Sequence, residues 1–201
     1  MAVVLFDLGN VLVRLRFERA LARLAALSGR CSPLELRQLV SSPLKHDFDR
    51  GLLDERTFLA RLAEAIGAPG VDRRALVAAW VDIFDRWPEA EALLEEVLAR
   101  GHRAYVLSNT DAIHYPHIRA SVPVLGRLHG EYLSYEAHVL KPDPAYFQGA
   151  LAQLGLQAAE CVFVDDLAEN VAAAEALGFR SVHHQGDVAD VRRQLLERLD
   201  A

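Results

Sequence analysis

Four short stretches of the chain carry residue types that can do chemistry, and each follows or closes an apolar run. Asp7 stands at the end of "AVVLF", one residue before Leu8 and two before Gly9. Ser108, Asn109 and Thr110 end the run "RAYVLS". Lys141 lies in "LKPDP", and Asp165 and Asp166 open "DDLAEN" directly after "CVFV". A carboxylate can act as a nucleophile toward phosphorus. Hard oxygen ligands suit Mg²⁺, which takes one or two carboxylates and leaves its other positions to water and phosphate. Asp7 with Asp165 or Asp166 supplies such a set. Ser108, backbone N–H groups and Lys141 can hold the equatorial oxygens of a phosphate and offset their charge. Together these residue types point to phosphoryl transfer.

The elements that must position them are legible from periodicity. Apolar runs of strand length at residues 2–6, 103–108, 131–135, 161–164 and 181–184 read as buried parallel strands. Between the later runs lie helical patterns. One starts at Pro88 and ends at Gly101, a second stops near Gly155, and a third stops at Gly178. Strand and helix in alternation predict an open α/β sheet. In such a sheet ligands bind beyond the C-terminal strand ends, where all four motifs stand. The stretch from Arg14 to Trp87 contains no strand-like run. It reads as about four helices, with Phe17, Leu21, Leu24 and Ala25 on one face. Phe58, Leu62 and Ile66 form a second face, and Leu76, Trp80 and Phe84 a third. Ser32, Pro33 and Glu35 read as a capping box. The domain expectation is an α/β core of residues 1–13 and 89–201 with a helical cap, residues 14–88, inserted after the first strand. Phe84 and Trp87 are expected to pack at its junction.

Composition narrows the partners. The chain has 201 residues, is 52% hydrophobic and carries a net charge of −6. That is long enough for a substantial core and too acidic for nucleic acid to be the expected partner. No apolar run is long enough for a membrane span. The apolar start has no basic segment and is broken by Asp7, so it is expected to be a strand and not a signal sequence. The two cysteines, Cys31 and Cys161, lie far apart, as expected for reduced thiols of a cytoplasmic protein. The eight histidines, His114, His117, His183 and His184 among them, show no ligand spacing and are read as ordinary side chains.

In their order the four motifs resemble those of the haloacid dehalogenase superfamily: "FDLGN", "LSNT", Lys141 in "LKP" and "FVDDLAEN". The resemblance implies a Rossmann-like core with a parallel five-stranded sheet and an inserted helical-bundle cap. It further implies a Mg²⁺-dependent phosphatase acting on a small phosphorylated metabolite as a monomer or homodimer. Asp7 would be the nucleophile, steadied by Lys141. Asp7, the carbonyl of Gly9 and Asp166 would hold the metal, with Asp165 one layer out or joined through water. Leu8, Gly9, Ser108, Asn109 and Lys141 would bind the phosphate. Most phosphatases of this superfamily carry an aspartate where Gly9 stands, and it serves as general acid, a contribution of roughly 10²–10⁴ in rate. Gly9 therefore leaves several readings open. The substrate has an acidic leaving oxygen, such as a sugar 1-phosphate, as in the α-glucose-1-phosphate phosphatase group that "FDLGNV" resembles. Alternatively an acid comes from His46, Asp47 or Asp49 of the cap. The reaction could also be dehalogenation of a halo acid, or the chain a phosphate-ligand binder without turnover.

Overall fold

The computed structural model describes residues 2–28 and 33–200; Cys31 and Ser32, with the cap-box reading, lie outside them. The chain runs β1 (Val3–Phe6), β2 (Val13–Leu15), α1 (Phe17–Ser28), α2 (Pro33–Val40), α3 (Pro43–Asp49), α4 (Glu55–Ala65) and α5 (Arg73–Trp80). It continues through β3 (Phe84–Arg86), α6 (Pro88–Ala99), β4 (Arg103–Ser108), α7 (His114–Ser121), β5 (Gly130–Leu133) and α8 (Ser134–Ala137). Then follow α9 (Pro144–Leu154), β6 (Cys161–Asp165), α10 (Ala168–Ala176), β7 (Arg180–His183) and α11 (Val188–Leu199).

Five strands form one sheet in the order β5-β4-β1-β6-β7, each pairing parallel. The apolar runs make this sheet because both its faces are covered. Alternation along β1 sends Val4 and Phe6 to one face and Val3 and Leu5 to the other. The first face packs on Leu94 and Val97 of α6 and Leu195 of α11. The second packs on Tyr146 and Phe147 of α9 and Ala174 of α10. From β1 the chain moves first to β4 and β5 on one side, and later to β6 and β7 on the other. The end of β1 is therefore the switch point, where the flanking helices diverge and leave a crevice.

Helices α1 to α5 gather around a separate apolar cluster that includes Leu24, Phe48, Phe58, Leu62 and Trp80. Asp54 caps α4 by accepting from the Thr57 N–H at 2.7 Å, and Asp72 caps α5 through the Ala75 N–H at 3.0 Å. Two expectations are corrected here. The described residues of this stretch form five helices where about four were expected, and the stretch is not free of strands. β2 and β3 pair antiparallel, Val13 with Arg86 and Leu15 with Phe84, across the two ends of the insertion. Phe84 therefore belongs to this ribbon and does not continue the α5 face. Three-residue strands are too short to show a period, and their partner lies about seventy residues away. The run at 131–135 also ends early as a strand, because α8 begins at Ser134.

The insertion docks on the core at its α3 end. The Ser134 hydroxyl lies 2.7 Å from the Asp49 carbonyl, and His138 Nδ1 is 2.8 Å from the Arg50 carbonyl. Gly51 makes this approach possible. Its φ is +64°, and a Cβ there would stand 2.0 Å from the Tyr135 carbonyl oxygen.

Candidate active site

The backbone N–H of Asp7 donates to the Val164 carbonyl at 2.9 Å, so Asp7 still rides in register with β6. This places its carboxylate beside Asp165, the last residue of β6. Lys141 comes in from the loop between α8 and α9. Its ammonium donates to Asp7 Oδ1 at 2.8 Å, to Asp165 Oδ2 at 2.6 Å and to the Leu107 carbonyl at 2.9 Å. All three ammonium donors are thus used. Only 4% of Lys141 is exposed. Burial opposes its charge, but Asp7 and Asp165 outweigh burial and raise its pKa above the ordinary lysine value.

The carboxylates feel the opposite pressure. Burial pushes Asp7 up to about 6; Lys141 works against the rise, while Asp165 and Asp166 add to it. Burial also raises Asp166. Three carboxylates thus face a single lysine. Asp165 has no oxygen to spare, since its Oδ1 accepts from the Leu167 N–H and from Asn170 Nδ2, each at 2.9 Å. Its position is that of an anchor for Lys141 and for the start of α10.

Asp7, Leu8, Gly9, Ser108, Lys141 and Asp166 all line one cavity of about 370 Å³ between the sheet end and the inserted helices. Asn109 also borders it, but its side chain is committed: Nδ2 donates to the Lys141 carbonyl at 2.9 Å, and Oδ1 accepts the Lys141 N–H at 2.8 Å. The amide of Asn109 thus positions the lysine loop, while the residue itself stays on the cavity border, where it is expected to meet phosphate. Two residues that the sequence reading passed over belong to the site. Asn10, with φ of 52°, donates to Asp166 Oδ2 at 3.1 Å and accepts the Leu15 N–H at 3.2 Å. Asn170 holds Asp165. Asn next to Gly is a turn signal that marks the first, and a buried amide in the alanine run of α10 marks the second.

Gly9 has a structural counterpart. A Cβ on it would lie 3.0 Å from Leu15 Cδ1, so a leucine occupies the space beside the position where an acid is usual. Of the cap candidates for a substitute acid, Asp49 lines the cavity and is ion-paired with Lys45. His46 and Asp47 are not among the residues that border it. Lys45 also stands 3.4 Å from Asp111 Oδ2, and His114 Nδ1 is 2.8 Å from the same oxygen. Burial would raise Asp111, yet His114 and Lys45 hold it well below the usual carboxylate range. The other nitrogen of His114 lies 3.0 Å from the Trp80 carbonyl. His114 is thus a structural tie between α5 and α7. His183 and His184 lie outside the cavity, and Cys161 is a buried free thiol.

The donor set fits a magnesium ion. Among the described residues no three His, Cys, Asp or Glu side chains group as a metal site. Mg²⁺ does not require one, because two carboxylates suffice when water and phosphate complete the shell. Asp7 and Asp166 each keep one oxygen outside the hydrogen bonds above. Asn170 Oδ1 is buried without a partner and its residue borders the cavity, where a metal-bound water would satisfy it.

A family model for haloacid dehalogenase-like hydrolases matches residues 1–178. Among curated proteins, the chain is 28% identical to the sesquiterpene phosphatase AstK of Aspergillus oryzae, over 74% of this chain and 76% of that protein. It is 23% identical to a D-ribitol-5-phosphate phosphatase of Bacteroides thetaiotaomicron, over 96% of this chain and 95% of that one. A haloacid dehalogenase family enzyme from the same bacterium superposes with a TM-score of 0.83 at 25% identity, covering 91% of this chain and 93% of its own. No helix among the described residues is long and apolar enough to cross a membrane. With its sheet order, its switch-point carboxylate and its four motifs gathered on one cavity, the chain belongs to the haloacid dehalogenase-like hydrolases.

Proposed function

We propose that this hydrolase is a Mg²⁺-dependent phosphatase that cleaves a small phosphate ester through an aspartyl-phosphate on Asp7. The observation that carries the reading is Lys141, which bridges Asp7 and Asp165 at the floor of the cavity. Its bond to Oδ1 fixes the orientation of the Asp7 carboxylate for in-line attack on phosphorus. Ser108 borders the same floor, where its hydroxyl and neighbouring N–H groups meet the equatorial oxygens. Asp7, Asp166 and the Gly9 carbonyl would hold the metal, whose charge offsets that of the phosphate and the carboxylates. Water then cleaves the acyl phosphate, freeing Asp7. Residues 14–88 act as a cap that closes the cavity and excludes bulk solvent. We further place the protein in the cytoplasm, as a monomer or homodimer, with no nucleic acid or membrane partner.

The relatives named for a sesquiterpene and for ribitol 5-phosphate support ester hydrolysis while differing widely in the alcohol released. The test is phosphate release from a panel of phosphorylated metabolites, with Mg²⁺ and with chelator, for the wild type and Asp7→Asn. Release that needs Mg²⁺ and is lost in Asp7→Asn is expected. Chloride release from 2-chloro acids in chelator, without phosphate release, would overturn it in favour of dehalogenation.

A further inference from the structure

The cavity lining is of two kinds. Asp7, Ser108, Lys141 and Asp166 are polar, whereas Leu15, Leu21, Leu24, Trp80, Ile83 and Phe84 give it an apolar wall. Phe17 and Leu167 also border it. They are 37% and 48% exposed, and are two of the three large apolar side chains that stand exposed among the described residues. A single exposed leucine needs no explanation. Two gathered on one cavity and continuous with its buried apolar wall mark surface that a ligand covers.

Most charged side chains near that wall already have partners within the protein. Lys45 and Asp49 neutralise each other, and His114 has one nitrogen on Asp111 and the other on the Trp80 carbonyl. A polyol entering here would give up water and find few partners for its hydroxyls along the apolar wall, a net loss for each hydroxyl left unpaired. A hydrocarbon would gain by leaving water. Leu15 extends the apolar lining to within contact distance of Gly9, beside the nucleophile.

We infer that the group carried by the phosphate is an apolar body, an alkyl, aryl or prenyl group, and not a polyol. The inference rests on the phosphatase reading of Asp7, and it replaces the sugar phosphate expected from Gly9 alone. A volume of about 370 Å³ is near the lower end of the roughly 300–1,000 Å³ of ligand pockets, so the apolar body is small.

The test is a series of 4-n-alkylphenyl phosphates, from methyl to hexyl, assayed with Mg²⁺ beside glucose 1-phosphate and acetyl phosphate. The series keeps leaving-group acidity constant while the apolar body grows. kcat/KM is expected to rise about two- to fourfold per methylene, then level off as the cavity fills, with glucose 1-phosphate below every member. Phe17→Ser should lower the hexyl-to-methyl ratio several-fold, and Phe17→Leu should restore most of it. A flat series, or glucose 1-phosphate as the better substrate, with acetyl phosphate still hydrolysed, would overturn the apolar substrate and leave the phosphatase standing. No turnover of any compound, acetyl phosphate included, would overturn both.

Discussion

Replacing Asp7 by asparagine should abolish activity and at the same time stabilise the metal-free protein. Asp7 is almost completely buried, and burial lifts its pKa from 3.8 to about 6. Ionising it at pH 7.5 therefore costs the folded state stability: about two pKa units at 1.36 kcal/mol each give an upper limit near 3 kcal/mol. Asparagine keeps an oxygen for Lys141 and removes the charge. Lys141 then loses one of two counter-ions, so the net gain should fall at about 1–3 kcal/mol. For a chain of this length that corresponds to roughly 2–12 °C in Tm. The sign with pH follows from the raised pKa. The folded wild type holds its proton more tightly than the unfolded chain, so it gains stability as pH falls from above 6 toward 4. The asparagine variant lacks this gain, and its advantage should be full above pH 6 and vanish near pH 4. Thermal unfolding in chelator at pH 7.5 and pH 4.5 measures both. Saturating Mg²⁺ should then reverse the order, because the ion stabilises only the form that binds it. An asparagine variant less stable than wild type in chelator at pH 7.5, or an advantage equal at the two pH values, would refute the claim that carboxylates here exceed what Lys141 can neutralise.

Three other substitutions probe the supports. Lys141→Met leaves two buried carboxylates facing each other and should cost roughly 3–5 kcal/mol, read by urea denaturation in chelator, with phosphatase turnover lost. Asn109→Leu removes both amide bonds to the Lys141 backbone; at about 1–3 kcal/mol for each buried group left unpaired, kcat should fall tenfold or more in steady-state assays while the fold persists. Gly51→Ala meets the Tyr135 carbonyl and requires a left-handed alanine. The conformation alone costs about 1–2 kcal/mol, and weaker cap docking should appear as faster amide exchange across α3 and a raised KM.

The four motifs were readable because a parallel sheet converts sequence order into spatial convergence. Asp7, Ser108 and Asp166 each close or follow an apolar strand, and the register of β1 with β4 and β6 brings those ends together; Lys141, expected at the end of the third strand, comes instead from the loop after α8. The tie from Asn109 to the lysine loop was not legible, because its neighbours in sequence say nothing of Lys141, thirty-two residues on, whose backbone takes its amide. The Lys45–Asp111–His114 cluster escaped for a similar reason. Its members come from α3, from the loop after β4 and from α7, and no local period marks a buried ion pair. Helices α1 and α4 announced themselves through apolar faces, while the β2–β3 ribbon is stabilised by tertiary pairing and carries no such signal.

That ribbon ties Asp166 to the apolar wall of the cavity. Asn10 reaches Asp166 with its amide nitrogen and Leu15 with its oxygen, and Leu15 pairs with Phe84 across the ribbon. Leu15 and Phe84 both border the cavity, and Leu15 fills the space beside Gly9. An acid at Gly9 would displace Leu15 by a few tenths of an ångström and strain the link from Asp166 to Phe84. The missing acid and the apolar wall are thus one feature of this chain. On the proposed reading Leu15 both lines the route for an apolar substrate and packs beside the position where a proton donor is usual, so the leaving oxygen would depart without help from position 9. A substrate suited to this site would carry its own acidity, as an aryl phosphate does, and the rate on it should depend more steeply on leaving-group pKa than in a relative with aspartate at that position.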